Sequence, residues 1–109
     1  MIQEQKQICQ KYGAEYVESP LNEKVGISLE VLKGKVPIHG LRHSITESTT
    51  GWYIWAGEYS EKDDFFQPYC IKHLKKKCPW IMKYLGLAPS WRFLVTPDYE
   101  DVWQDKELL

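Results

Sequence analysis

Aromatic residues are densest in the stretch Gly51-Trp52-Tyr53-Ile54-Trp55-Ala56-Gly57-Glu58-Tyr59. If this stretch forms a β-strand, its side chains alternate between two faces. One predicted face is apolar and carries Trp52, Ile54 and Ala56. The opposite face is aromatic and carries Tyr53, Trp55 and, beyond the glycine, Tyr59. Because neither face suits water, the strand is either covered on both sides or keeps its aromatic face for a ligand or partner.

The size and charge of the chain exclude several classes of protein. At 109 residues the length suits one compact domain, so we predict one domain over residues 1–109, with residues 1–20 as its N-terminal helix and loop. A net charge of −1 argues against a nucleic-acid binder, whose affinity comes from excess lysine and arginine. No apolar run approaches the ~20 residues that cross a bilayer, so we expect no membrane association.

The N-terminus and the cysteines predict the cellular compartment of the protein. Residues 1–6 lack the basic-then-apolar order of a signal peptide. Three cysteines are too few, and odd in number, for a disulfide framework. We therefore expect a cytoplasmic protein with reduced thiols.

Four other segments have the pattern of β-strands. Residues 25–32 alternate apolar and polar side chains, which predicts a half-buried strand. Residues 36–43 are extended but interrupted by a proline, which suits an edge or a bulge. Residues 91–96 and 99–104 lie on either side of the turn Pro97-Asp98. Sequential strands usually pair, so we expect the segments that flank the aromatic strand to be its neighbours in the sheet.

Helical periodicity occurs in two places. Residues 2–12 predict a short helix that ends at Gly13, because glycine enters the left-handed conformation cheaply. Strands and helices are segregated along the chain, which favours an α+β fold. We predict a small mixed or antiparallel sheet, with the N-terminal helix and a central helical segment packed on it.

The central helical segment is interrupted. The apolar spacing from residue 69 to 85 is helical, but Pro79 breaks it, since proline is tolerated only in the first turn of a helix. We therefore predict two consecutive helices, over 70–77 and 79–85. Gly86 is the predicted stop of the second.

One group of residues has the types that bind zinc: Cys70, His73 and Cys78. Cys78, however, follows Cys70 by eight residues across the proline break, and no fourth ligand has a recognisable spacing. Burial as a small apolar side chain is the commoner role of cysteine. We expect neither a metal nor another cofactor.

A second polar group, His39, Arg42 and His43, suggests acid–base chemistry. A histidine there requires a carboxylate such as Glu58 or Asp101 within reach. No nucleophile elbow or phosphate-binding glycine loop accompanies the group. A polar edge strand is the simpler interpretation, so we do not predict an enzyme.

Large rings are more numerous than packing normally requires. The chain has five tryptophans in 109 residues, and each large ring can bury about 150–250 Å². Aromatic side chains also dominate binding hot spots. The rings are either core or partly exposed for recognition, and they are Trp52, Tyr53, Trp55, Tyr59, Trp91, Tyr99 and Trp103.

Several motifs occur in one order along residues 25–109. They are Gly40-Leu41-Arg42-His43, Gly51 to Ser60, Tyr84-Leu85-Gly86-Leu87-Ala88-Pro89, Trp91-Arg92-Phe93-Leu94 and Tyr99-Glu100-Asp101-Val102-Trp103. Together they resemble a small bacterial family, the immunity-protein-thirty-three-like family of polymorphic toxin systems.

The resemblance implies a protein that binds a cognate toxin and neutralises it without catalysis. Rings would fill pockets while carboxylates engage a basic cleft. The residues that we expect to bind are Tyr53, Trp55, Glu58, Tyr59, Glu61, Asp63 and Asp64. A second candidate edge consists of Tyr99, Glu100, Asp101 and Trp103.

Two alternatives to an immunity protein stay open from the residues alone. Tryptophan and tyrosine also serve as stacking platforms in small-ligand or carbohydrate-binding domains. An enzyme that uses His39 or His43 is the other alternative. An exposed aromatic strand face is also compatible with a monomer or with a homodimer that covers this face.

Overall fold

A computed structural model describes all 109 residues, Met1–Leu109, and its centre is a six-stranded mixed sheet. The strands are β1 Lys24–Ile27, β2 Ile38–Arg42, β3 Trp52–Ala56, β4 Gln67–Cys70, β5 Trp91–Thr96 and β6 Tyr99–Gln104. Their order across the sheet is β4-β1-β3-β2-β5-β6. Only the β1–β3 pair is parallel. The predicted α+β fold is confirmed, and the aromatic strand β3 is central.

Four of the five helices pack on one face of this sheet, which we call the inner face. They are α1 Ile2–Tyr12, α2 Leu29–Leu32, α3 Ile71–Lys77 and a 3₁₀ helix over Pro79–Tyr84. The fifth, a 3₁₀ helix over Lys106–Leu108, follows β6 and adds no residue to the core. The predicted N-terminal helix is confirmed, and Gly13 follows it with φ 75°. The predicted break at Pro79 is confirmed too, although the second helix is a 3₁₀ helix.

The core lies between the inner face and the helices. Ile54, Gly40, Phe93 and Val102 stand in one row across β3, β2, β5 and β6. A Cβ added at Gly40 would lie 2.2 Å from the Phe93 ring, so only glycine lets that ring lie flat over β2. Twenty-one buried apolar residues form one cluster here, and every buried apolar side chain of the three α-helices belongs to it.

Arg42 is fully buried on the inner face and ties the loops to the sheet. Its guanidinium donates to the carbonyl oxygens of Val17, Glu18, Thr50 and Leu87, at 2.7–3.3 Å. Burial lowers its pKa to about 10, so the group stays charged at neutral pH. Four carbonyl dipoles therefore take the place of a carboxylate partner.

Two strand predictions from the sequence are wrong. Segment 36–43, expected at an edge, supplies the interior strand β2, which pairs with both β3 and β5 because Pro37 stands just before it. The strand predicted over 25–32 ends at Ile27, where the chain turns into α2. Ser28 holds that turn, because its N–H donates to Ile54 and its hydroxyl accepts from the Ala56 N–H. Leu29 is then 61% exposed, whereas Val31 stays in the core. Alternation across a four-residue helix had the same appearance as a continuing strand.

The start of the central helical segment also differs from the prediction. Residues 67–70 form β4, an edge strand in which Tyr69 pairs with Val25, and α3 begins only at Ile71. Gly86 does not adopt a left-handed conformation. It is required instead because an added Cβ would lie 2.8 Å from the Tyr16 ring and 2.9 Å from Gln5.

Candidate functional site

The face of the sheet opposite the helices, which we call the outer face, is aromatic. Strand register places Tyr53 and Trp55 of β3 beside Leu41 and His39 of β2 on this face. Trp55 is only 6% exposed, yet it does not belong to the apolar cluster on the inner face. A second, separate set of rings therefore buries it.

This set, which we call the ring cluster, consists of His39, Tyr53, Trp55, Tyr59, Phe65 and Phe66. His39 stacks flat on Trp55, with centroids 4.9 Å apart. Phe66 contacts Tyr53 edge-on at 5.2 Å, and Tyr59 contacts Trp55 edge-on at 5.4 Å. Such edge-to-face pairs each contribute about 0.5–1.5 kcal/mol beyond the area that they bury. The ring cluster thus forms a small second core on the outer face.

The ring cluster holds a segment rich in carboxylates, which we call the acidic segment, residues 57–66. Two of its three rings, Tyr59 and Phe66, contact the rings of β3, whereas its four acidic residues are exposed. They are Glu58, Glu61, Asp63 and Asp64. None of them forms an ion pair within the chain. Lys62 is its one basic residue. The segment therefore presents unpaired carboxylates, and the ring cluster holds its backbone in place.

A small cavity lies beside the acidic segment. It has a volume of about 210 Å³ and is lined by Leu41, His43, Tyr53, Tyr59 and Phe66. Four of these five side chains are apolar or aromatic, so the cavity fits an apolar or ring-bearing side chain of a partner better than a polar one.

The second predicted patch lies on the same face, three strands away from β3. Tyr99, Asp101 and Trp103 point outward from β6, because Asp101 is in register with Leu94 and Trp103 with Arg92. Tyr99 is 55% exposed and Trp103 is 37% exposed. The sheet therefore brings both predicted patches onto one surface, separated by β2 and β5.

Glu100 does not join that surface. It points to the inner face, where its carboxylate accepts hydrogen bonds from Tyr12 at 2.5 Å, Tyr84 at 2.7 Å and Lys11 at 3.0 Å. Burial raises the pKa of Glu100, but these hydrogen bonds outweigh burial and lower it to about 2. Burial raises the pKa of the Tyr84 hydroxyl, and its hydrogen bond to Glu100 raises that pKa further. Glu100 connects α1, a 3₁₀ helix and β6.

The five tryptophans have different environments. Trp52 and Trp91 belong to the core, and Trp80 packs against it. Trp55 is buried in the ring cluster, and Trp103 is the most exposed of the five. Packing thus uses most of the rings, so the surplus predicted from composition is smaller than the count suggested.

The histidine and arginine candidates for catalysis are divided between the two faces. Arg42 is buried on the inner face, whereas His39 lies on the outer face against Trp55. Burial, aided by nearby Arg92, lowers the pKa of His39. The Nδ1 of His43 lies 2.9 Å from the carbonyl oxygen of Leu108. Neither imidazole is hydrogen-bonded to a carboxylate.

The three residues of zinc-binding type, Cys70, His73 and Cys78, each have different contacts. Cys78 is buried in the core, and burial raises its thiol pKa. The Cys70 thiol donates to the Leu21 carbonyl, and His73 contacts the Tyr69 ring edge-on. All three cysteines are free thiols.

Sequence reasoning missed part of the ring cluster. Sequence patterns assigned no functional role to Phe65 and Phe66, and they suggested His39 only as a base or as part of a polar strand. The adjacent phenylalanines after an acidic run were the available signal, because apolar rings within a charged loop require a place to bury.

Comparisons with known proteins give one match, which covers nearly the whole chain. Residues 4–105 match the Imm33-like domain. No curated protein and no solved structure matches. No helix has the length and apolarity needed to span a membrane.

Proposed function

Because the chain belongs to the Imm33-like domain family, we propose that it is an immunity protein that binds a cognate bacterial toxin and blocks it without catalysing a reaction. The observation that carries the proposal is the acidic segment, which packs on Trp55 and Tyr53 through its rings while its four carboxylates form no ion pair. Such a segment needs little ordering on binding, which lowers the entropic cost of association.

The charge of the acidic segment supports a basic partner surface. Four exposed carboxylates without an ion pair attract lysine and arginine side chains and accelerate encounter with a positively charged cleft. We propose that the toxin contacts Glu58, Tyr59, Glu61, Asp63 and Asp64.

Of the two β3 residues expected to bind, one keeps that role and the other has a different one. Trp55 is buried under Tyr59 and stacked on His39, so we propose that it positions the acidic segment instead of touching the toxin. Tyr53 is half-buried and lines the cavity of about 210 Å³. We propose that this cavity receives one apolar side chain of the toxin.

Co-expression with a candidate toxin domain, sought in the genes that neighbour this one, tests the proposal. The variant is Glu58→Gln, Glu61→Gln, Asp63→Asn and Asp64→Asn together. We expect it to fold as the parent chain does, to bind the toxin at least tenfold more weakly, and to lose protection of growth. Removing four charges slows encounter, and the loss of charge-assisted hydrogen bonds speeds dissociation.

The matched control removes the same charge elsewhere. Glu4, Glu15, Glu47 and Glu107 are exposed, and replacing all four with glutamine should leave protection intact. Equal loss of protection in both variants would mean that only net charge matters. Full protection by the first variant would contradict the proposed contact surface, and failure of the parent chain to protect against the toxin would contradict the immunity function.

The ring cluster gives little support to a carbohydrate-binding site at Trp55. Stacking on a sugar requires a ring face open to solvent, but the Trp55 face is occupied by His39 and its edges by Tyr59 and Phe66. A thermal-shift screen with sugars separates the two functions, since stabilisation by a sugar favours the carbohydrate-binding domain.

We also propose that residues 1–109 form one domain that works in the cytoplasm. Lys11 and Tyr12 of α1 hydrogen-bond to Glu100 near the end of the chain, so one cooperative unfolding transition is expected. Three free thiols are compatible with a reducing compartment.

A further inference from the structure

Strand β6 leaves a row of backbone groups without a partner strand. It is the last strand of the sheet and pairs only with β5. In an antiparallel pair, alternate residues hydrogen-bond to the neighbouring strand. The Asp105 N–H donates to Ser90 at 2.6 Å, and that register places the N–H and C=O groups of Glu100, Val102 and Gln104 on the free side. This edge therefore offers three donors and three acceptors.

The opposite edge of the sheet is protected, whereas the β6 edge is not. β4 has only four residues and contains Pro68, and short strands with proline discourage the addition of another strand. β6 has six residues, Tyr-Glu-Asp-Val-Trp-Gln, with no proline, glycine or lysine.

The side chains along β6 favour an added strand. Tyr99 and Trp103 are exposed rings on either side of Asp101. Exposed rings favour the pairing of a further strand with an edge strand. Trp103 is supported from below by Arg92, whose guanidinium carbon lies 5.6 Å from the ring centroid. Asp101 forms no ion pair. One free carboxylate between two rings matches a lysine or arginine on an incoming strand.

A second copy of β6 matches this edge poorly. An antiparallel pair centred on Asp101 sets two carboxylates directly opposite each other. A pair centred on Val102 sets them diagonally, and one centred on Trp103 sets Asp101 opposite Asp105. Like charges at opposite positions destabilise strand pairing. The occupant that the charges favour is therefore a different chain.

We infer that β6 is a docking edge to which an extended, basic segment of the toxin adds as a further strand of the sheet, with a lysine or arginine opposite Asp101. The inference rests on the proposed immunity function and adds the mode of binding. Main-chain hydrogen bonds at Glu100, Val102 and Gln104 supply affinity, and the side chain opposite Asp101 supplies selectivity.

Hydrogen exchange of single amides tests the docking edge, with the chain free and bound to a catalytically inactivated form of the same toxin domain. In the free chain, the amides of Val102 and Gln104 should exchange faster than those of Asp101 and Trp103, which bond to β5. In the complex, exchange at Glu100, Val102 and Gln104 should slow at least tenfold.

Two variants measure affinity at this edge. Asp101→Lys replaces attraction by repulsion and should weaken binding roughly tenfold. Gln104→Pro removes one outward donor and should weaken binding about fivefold. The control is Asp98→Lys, which makes the same charge change at the exposed turn beside β6 and should leave affinity within about twofold.

The possible results are distinguishable. A complex that protects growth while the edge amides exchange as in the free chain overturns the docking edge and leaves the immunity function standing. A toxin that neither binds nor is neutralised overturns both. A concentration-dependent dimer of the free chain, with these three amides protected, identifies a second copy as the occupant and overturns the inference.

Discussion

The imidazole of His39 lies flat against the indole of Trp55, with ring centroids 4.9 Å apart and planes inclined by 3°. The two residues are direct partners across β2 and β3. Cross-strand ring pairs of this kind stabilise a sheet face. This pair forms the base on which the acidic segment rests, so it connects the stability of the sheet to the position of the proposed binding residues.

The His39 pair predicts a pH dependence of stability. Because burial and Arg92 lower the pKa of His39, the folded state binds this proton less readily than the unfolded state does. Neutral His39 therefore makes its full contribution to stability above the usual pKa of 6.5. This contribution is lost as the pH falls through 6.5 towards the lowered pKa. Unfolding in urea should show less pH dependence in this range for His39→Gln. The control is His73→Gln, at an exposed position of α3, which should keep the pH dependence of the parent chain. If stability depends on pH in His39→Gln as it does in the parent chain, the prediction is wrong.

Glu100 predicts a separate transition at lower pH. Its lowered pKa of about 2, against a usual value of 4.5, means that its stabilising contribution is lost as the pH falls from 4.5 towards 2. At neutral pH, Glu100→Gln should lower the free energy of unfolding by about 1–3 kcal/mol, because Tyr12 and Tyr84 lose a charged acceptor. Asp101→Asn, next along β6 but exposed, should change it by less than about 0.5 kcal/mol. Equal effects of the two changes would disprove the role of Glu100.

Arg42→Lys should destabilise the fold strongly despite keeping the charge. A lysine ammonium lacks the planar fork of arginine and cannot reach the carbonyls of Val17, Thr50 and Leu87 together. We expect a loss of about 3 kcal/mol or more in chemical denaturation, because buried acceptors are left unpaired. Arg92→Lys, at a partly exposed ion pair with Asp105, should cost less than about 1 kcal/mol. A similar loss for both substitutions rules out the special role of Arg42.

The ring cluster predicts that stability and protection can be separated. Tyr59→Ala together with Phe66→Ala should lower the free energy of unfolding by only about 1–3 kcal/mol, since the inner core stays intact. Quenching of Trp55 fluorescence by acrylamide should rise, and protection against the toxin should be lost because the acidic segment is no longer held. Tyr99→Ala, an exposed ring without a ring partner, serves as the stability control. If the double variant still protects fully, the segment does not need its rings.

Much of the fold and part of the site follow from local patterns. The period of two in residues 91–96, the helical period of residues 2–12 with Gly13, and the break at Pro79 are local signals, and all three elements occur. Five motifs in one order resembled those of the family that residues 4–105 match. Alternation also assigned Tyr53 and Trp55 to one face before any neighbour was known.

Tertiary structure decided which of those faces coincide and which rings remain free. Strand order places β3 and β6 in one sheet, and on its inner face Glu100 accepts a hydrogen bond from Tyr12, a residue 88 positions away. Packing buries Trp55 and leaves Trp103 partly exposed, although both have the same local pattern. The physical reason is that periodicity fixes only which side chains share a face, whereas burial and ion pairing depend on partners that come from distant parts of the chain.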